Sequence, residues 1–143
     1  MDNIITACVG TGYWGKNLVR NFYNLPGCRL KACCDLDRSL LEKTAAQYPG
    51  VEVTEDYERV LSDPAIDAVV LASPAVMHYE MARRALEAGK HVYVEKPLTL
   101  CVEDAEDLCL IAESRGLVLM VGHLMEYHPG VNKLKQLVED GTL

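Results

Sequence analysis

The 143-residue sequence predicts an α/β domain whose parallel sheet is covered by helices on both faces. Three observations carry that prediction. Short apolar runs rich in β-branched residues alternate with longer stretches of helical spacing. The apolar runs are continuous rather than interleaved with polar residues, which is the pattern of strands buried on both faces. Turn residues fall between the elements, at Pro26-Gly27, Pro49-Gly50, Asp63-Pro64, Ala88-Gly89 and Arg115-Gly116.

Taken in order, Ile4–Val9 reads as the first strand and Trp14–Asn24 as the helix after it. Leu30–Cys34 is the second strand, followed by a helix over Arg38–Tyr48. A weak strand around Val51–Val53 and a short helix near Tyr57–Leu61 come next. Ala68–Ala72 is the fourth strand, and Met77–Ala88 a helix ending at Gly89, where a helix C-terminal glycine belongs. His91–Val94 is the fifth strand. The helix Val102–Ser114 carries Glu103 and Asp104 in its first turn, the favourable end of the helix dipole, and stops before Gly116. Val118–Val121 is the sixth strand and Val131–Glu139 the last helix. Right-handed crossovers wind about six such strands into the order 3-2-1-4-5-6, a doubly wound sheet with its ligand crevice between strands 1 and 4.

The length suits one domain, and a composition 50% hydrophobic and 24% charged is that of a globular chain. A net charge of -7 argues against a nucleic-acid partner, which calls for a basic face. The cysteines, Cys8, Cys28, Cys33, Cys34, Cys101 and Cys109, form no C-x-x-C pair and no zinc-ligand spacing with histidine. They are expected to be reduced, largely as core thiols, with no metal site. The start of the chain lacks the pattern of a secretory leader, and no apolar run is long enough to span a membrane. The expected location is the cytoplasm, with no membrane partner.

The most specific local pattern is Gly10-Thr11-Gly12-Tyr13-Trp14-Gly15, a G-x-G-x-x-G run directly after a strand and opening a helix. Gly10 is placed for the tight turn, Gly12 for close approach of a pyrophosphate to the backbone, and Gly15 for close packing of helix on strand. The helix N-terminus then offers N–H groups and partial positive charge to the phosphates. On its own the spacing also describes a plain strand-to-helix turn. Asp35 changes the balance, because it ends the second strand about twenty residues on, where a carboxylate accepts the adenosine ribose hydroxyls. A 2′-phosphate would meet that carboxylate as a like charge, so NAD is expected in preference to NADP. Arg38 tempers this, as a residue able to pair with a 2′-phosphate or stack on adenine, or simply a solvated first-turn residue.

Downstream, Ser73-Pro74 follows the fourth strand, His78 opens a helix, and Gly89-Lys90-His91-Val92-Tyr93-Val94-Glu95-Lys96-Pro97 runs through the fifth strand. With the glycine loop, this pattern resembles the N-terminal domain of the glucose–fructose oxidoreductase/inositol dehydrogenase (Gfo/Idh/MocA) family. The resemblance covers nearly the whole chain, and Glu95-Lys96-Pro97 is its most specific element. It implies an NAD(P)-dependent oxidoreductase domain acting on a sugar or nucleotide sugar. Lys96 matches the lysine held near the nicotinamide and the reacting carbon, and is the catalytic candidate. Glu95 and Pro97 would shape its turn, with Pro97 a candidate for unusual peptide geometry. Ser73, Pro74 and His78 would border the nicotinamide side of the crevice. Gly12-Tyr13-Trp14-Gly15 and Gly122-His123-Leu124-Met125-Glu126-Tyr127-His128 resemble the branch acting on UDP-N-acetylamino sugars as 3-dehydrogenases.

Residues 1–143 thus read as one cofactor domain, the segment from about residue 123 being the exit toward a substrate domain that family members carry. His123, Tyr127 and His128 could reach the sugar or nicotinamide, or pack against that domain. The acid/base histidine of the family's second domain has no counterpart here. The expectation is therefore a chain that binds cofactor with little or no turnover. A stand-alone module that senses NAD(H) without chemistry is the alternative; an S-adenosylmethionine-dependent methyltransferase is disfavoured by the third glycine at Gly15. If Met125, Tyr127, Leu134 and Leu137 face another domain in relatives, their exposure here would favour homo-oligomers.

Overall fold

The structure is a computed structural model that describes residues 3–143. Six parallel strands form one sheet: β1 (Ile4–Val9), β2 (Cys28–Cys34), β3 (Glu52–Thr54), β4 (Ala68–Leu71), β5 (His91–Val94) and β6 (Leu119–Val121). Their spatial order is β3-β2-β1-β4-β5-β6, the doubly wound order expected from the sequence. The helices are α1 (Gly15–Asn24), α2 (Arg38–Gln47), α3 (Tyr57–Ser62), α4 (His78–Glu87), α5 (Val102–Arg115) and α6 (Pro129–Glu139).

Strand side chains alternate between two cores. Ala7, Val9, Ala32, Cys34, Val69, Leu71, Val92 and Val94 meet Val60 and Leu61 of α3, Ala82, Ala85 and Leu86 of α4, and Leu108 and Ala112 of α5. Cys8, Leu30, Cys33 and Val70 point the other way, onto Leu18 and Val19 of α1 with Tyr48 and Val51. Burial of a leucine such as Leu71 or Leu86 stabilises the fold by about 2 kcal/mol. Continuous apolar strands are what this two-sided cover requires. All six cysteines are free, with Cys8, Cys33 and Cys34 buried. Burial pushes the Cys33 thiol up to about 12 and that of Cys34 up to about 11; Cys8 is likewise raised.

Helix ends follow local chemistry. Asp37 caps α2, its carboxylate accepting from the N–H groups of Ser39 and Leu40. Glu103 and Asp104 occupy the first turn of α5, and Gly116 ends it in the left-handed conformation at φ 65°. Helix α6 begins at Pro129, two residues before the expected start, because His128 Nδ1 accepts from Gly130 N–H at 3.1 Å and proline suits a first helical position. Two 3-10 turns, Ala75–Met77 and Leu124–Tyr127, are too short to leave a periodic signal in the sequence. Helix α6 is exposed along most of its length, and β6 forms one edge of the sheet. Among the described residues, no helix is long and apolar enough to cross a membrane, and no group of three His, Cys, Asp or Glu is placed to hold a metal ion.

Candidate functional site

Parallel register brings the functional candidates into one row. Just past each strand end, a backbone N–H donates to the neighbouring strand: Asp35 to Thr54, Gly10 to Cys34, Ala72 to Val9, Glu95 to Leu71 and Gly122 to Val94. Asp35, Gly10, Ser73, Glu95 and Gly122 therefore line the carboxyl edge of the sheet, with the crevice at the β1–β4 switch.

The glycine loop is as tight as its spacing implies. A Cβ on Gly15 would lie 1.9 Å from the Gly10 carbonyl oxygen, and one on Gly10 would lie 2.6 Å from that of Ala72. At Gly12 a Cβ would meet nothing within 4 Å, so this glycine faces open space before the α1 N-terminus. No side chain caps α1, which leaves that end available to an anion. Tyr13 is exposed, with the Lys16 ammonium 5.5 Å from its ring centre.

Asp35 accepts three hydrogen bonds within the chain. Its Oδ2 accepts from the Thr11 N–H at 2.6 Å and the Thr11 hydroxyl at 3.0 Å, while Oδ1 accepts from Asp37 N–H at 2.9 Å. A carboxylate offers about four acceptor positions, so one remains for a ribose hydroxyl. Asp37 adds a second acid at the same strand end. The Ser39 side chain and N–H hold its carboxyl below the usual range, so it stays charged at neutral pH. The sequence signal for it was the D-x-D spacing. Arg38 points to solvent and sits 3.8 Å from Glu42 along its own helix.

On the other side of the crevice, the Ser73 hydroxyl is buried with no hydrogen-bond partner among the described residues, and Pro74 is exposed beside it. His78 lies between the Ser73-Pro74 and Lys96-Pro97 loops. It is 1% exposed, and its ring nitrogens contact the Pro97 carbonyl at 2.7 Å and the Ser73 carbonyl at 2.8 Å. The residue ties together the two loops it was expected to stand beside. The Lys96–Pro97 peptide is cis.

Glu95 is buried, and its carboxylate gathers three donors. The Trp14 indole N–H reaches Oε1 at 2.6 Å, the Tyr93 hydroxyl reaches the same oxygen at 3.3 Å, and the Lys96 N–H reaches Oε2 at 3.2 Å. Tyr93 is pushed up to about 12 by burial, then by the charge and hydrogen bond of Glu95. Gly122 completes the fit, since a Cβ there would lie 2.5 Å from the Tyr93 oxygen. Trp14, Glu95, Lys96, Pro97, His123 and Met125 line a cleft of about 670 Å³. Lys96 is exposed, and among the described residues its ammonium forms no ion pair.

These residues fit a dinucleotide: a glycine facing open space at an uncapped helix end, a carboxylate with acceptor capacity to spare, and an unpartnered buried hydroxyl across the crevice. Residues 4–123 match the GFO_IDH_MocA family of oxidoreductases, described by its NAD-binding Rossmann fold. The chain belongs to that family.

Among its Gfo/Idh/MocA relatives, an uncharacterized oxidoreductase YrbE of Bacillus subtilis is 32% identical over 140 residues, 98% of this chain and 41% of the relative. The crystal structure of KijD10, a 3-ketoreductase from Actinomadura kijaniata in complex with NADP and TDP-benzene, superposes with a TM-score of 0.91. It is 29% identical, over 99% of this chain and 44% of that one. GenD2 from gentamicin A biosynthesis, in complex with NAD, has a TM-score of 0.86 at 32% identity, over 90% of this chain and 37% of that one. The chain thus spans about two-fifths of the length of these relatives. It is a nicotinamide-cofactor-binding oxidoreductase domain, from a family whose members include both NAD and NADP forms.

Proposed function

We propose that this domain holds NAD for hydride transfer to or from a hydroxyl-bearing carbon of a sugar or nucleotide sugar. The observation that carries the reading is that one crevice joins the glycine cradle to the Lys96 turn across the β1–β4 switch. Gly10, Thr11, Gly12 and Gly15 would admit the pyrophosphate to the α1 N-terminus, with Tyr13 and Trp14 flanking it, and Asp35 would accept a ribose hydroxyl. Two acids, Asp35 and Asp37, at that strand end favour NAD over NADP by like-charge repulsion of a 2′-phosphate. Arg38 is engaged toward Glu42 rather than toward this position.

The nicotinamide, when bound, accepts or returns the hydride. Ser73 would offer its hydroxyl to the cofactor, beside Pro74. Lys96 would donate to the substrate oxygen and stabilise the negative charge that develops there, a contribution largest where water is excluded. His78, Glu95 and Pro97 would hold the turn that carries Lys96. Residues 1–143 form one cofactor domain in this reading, with the segment from about residue 123 leading toward a substrate domain. The KijD10 complex with a TDP ligand supports the nucleotide-sugar class.

Placing this chain in the full length of a family member, with Lys96 or with Lys96→Ala, tests the reading. Turnover of a sugar or nucleotide sugar that falls by about two orders of magnitude or more in Lys96→Ala is expected. Equal turnover would remove Lys96 from the chemistry, and NAD binding without any turnover in the longer protein would favour a sensing module instead.

A further inference from the structure

We infer that Trp14 and Glu95 form a positioning pair through which the glycine loop sets the geometry of the Lys96 turn. The inference deepens the proposed function, whose catalytic lysine it concerns, but it rests on contacts within this chain. Trp14 lies inside the G-x-G-x-x-G loop, one residue before α1, and its indole N–H crosses 81 positions of sequence to reach Glu95 at 2.6 Å. Glu95 in turn accepts the backbone N–H of Lys96 with its other oxygen. The two hydrogen bonds put one carboxylate between the Trp14 indole and the Lys96 backbone.

The surroundings hold that carboxylate in place. Tyr93 donates to the oxygen that Trp14 uses, its ring packs edge-on to Phe22 of α1 at 6.0 Å, and Gly122 leaves room for the Tyr93–Glu95 pair. Glu95 is buried, and its three donors fix both carboxylate oxygens, so it is placed as a positioning residue. A hydrogen bond to a charged group is worth more than a neutral one, and losing a donor leaves the buried carboxylate short of partners. Movement of the loop would therefore pull on Glu95 and shift the Lys96 turn. Trp14 is also part of the wall of the cleft that Lys96 faces, so the pair fixes that wall and the lysine together.

Hydrogen exchange on the 143-residue chain tests the link without cofactor. In Trp14→Phe, which keeps an aromatic ring and removes the N–H, the Lys96 amide should exchange about tenfold faster. The Thr11 amide, anchored by Asp35, should keep its rate and report that the loop remains folded. The reciprocal variant, Glu95→Met, which keeps the side-chain length and removes both acceptor oxygens, should raise acrylamide quenching of Trp14, the single tryptophan, while the melting transition stays cooperative. Adding NADH should slow Lys96 exchange in the parent chain and do so markedly less in Trp14→Phe. An unchanged Lys96 rate in Trp14→Phe, or unchanged quenching of Trp14 in Glu95→Met, would overturn the inference. Absence of NADH binding by the parent chain would overturn the proposed function instead, with the cofactor-free comparison still deciding the link.

Discussion

Asp35 anchors Thr11. One carboxylate oxygen accepts both the backbone N–H and the hydroxyl of the residue between Gly10 and Gly12, at 2.6 and 3.0 Å. The acid proposed to read the ribose thus also fixes the loop proposed to hold the pyrophosphate. Thr11→Ala, losing one hydrogen bond, should weaken NADH binding several-fold and cost about 1 kcal/mol of stability. Asp35→Ala should weaken NADH at least tenfold and shrink the preference over NADPH. Calorimetric titration with both cofactors measures each effect.

The glycines of the loop separate packing from binding. Gly15→Ala would push a methyl group onto the Gly10 carbonyl and should cost more than about 3 kcal/mol in urea unfolding. Gly12→Ala meets no protein atom, so stability should change by less than about 1 kcal/mol while NADH affinity falls sharply. Equal losses of stability in the two variants would contradict these roles.

His78 is expected to be a stability residue. Replacing it with alanine strips a partner from the Ser73 and Pro97 carbonyls and leaves a cavity under the site, at a cost of about 3 kcal/mol. Urea unfolding of His78→Ala checks this. A near-neutral result would mean that the clasp is not structural.

The buried thiols give the fold an alkaline limit. Cys33 is raised to about 12 and Cys34 to about 11, above the ordinary thiol value near 9, because burial disfavours their thiolates. Over that interval the unfolded chain loses protons that the folded chain keeps, so rising pH favours unfolding. Stability should be level up to about pH 8 and fall progressively from about pH 9 to 12. Cys33→Ala should make the decline shallower in urea titrations across that range.

Much of the fold was legible because its signals are local. Continuous apolar runs, helix-ending glycines and G-x-G-x-x-G each lie within a few residues of what they specify, and the strand order follows from right-handed crossovers. The site was legible only where its chemistry is local too. Asp35 shows in sequence as the end of a strand, but its grip on Thr11 does not. The bond from Trp14 to Glu95 and the reach of His78 to Pro97 join residues far apart in sequence, and no spacing rule encodes such pairs. The apolar residues of α6 formed a readable helix; Leu134, raised in the sequence as exposed if a second domain packs there, is exposed, and so is Val138, which the sequence did not single out. Met125 and Tyr127 are exposed and Leu137 half-buried.

If the loop around Trp14 holds NAD, Trp14 itself supplies the probe of it. In a titration with NADH, tryptophan emission should be quenched saturably, with energy transfer to the nicotinamide, and NADPH should bind more weakly. A folded sample whose emission shows no saturable change with NADH would contradict the account.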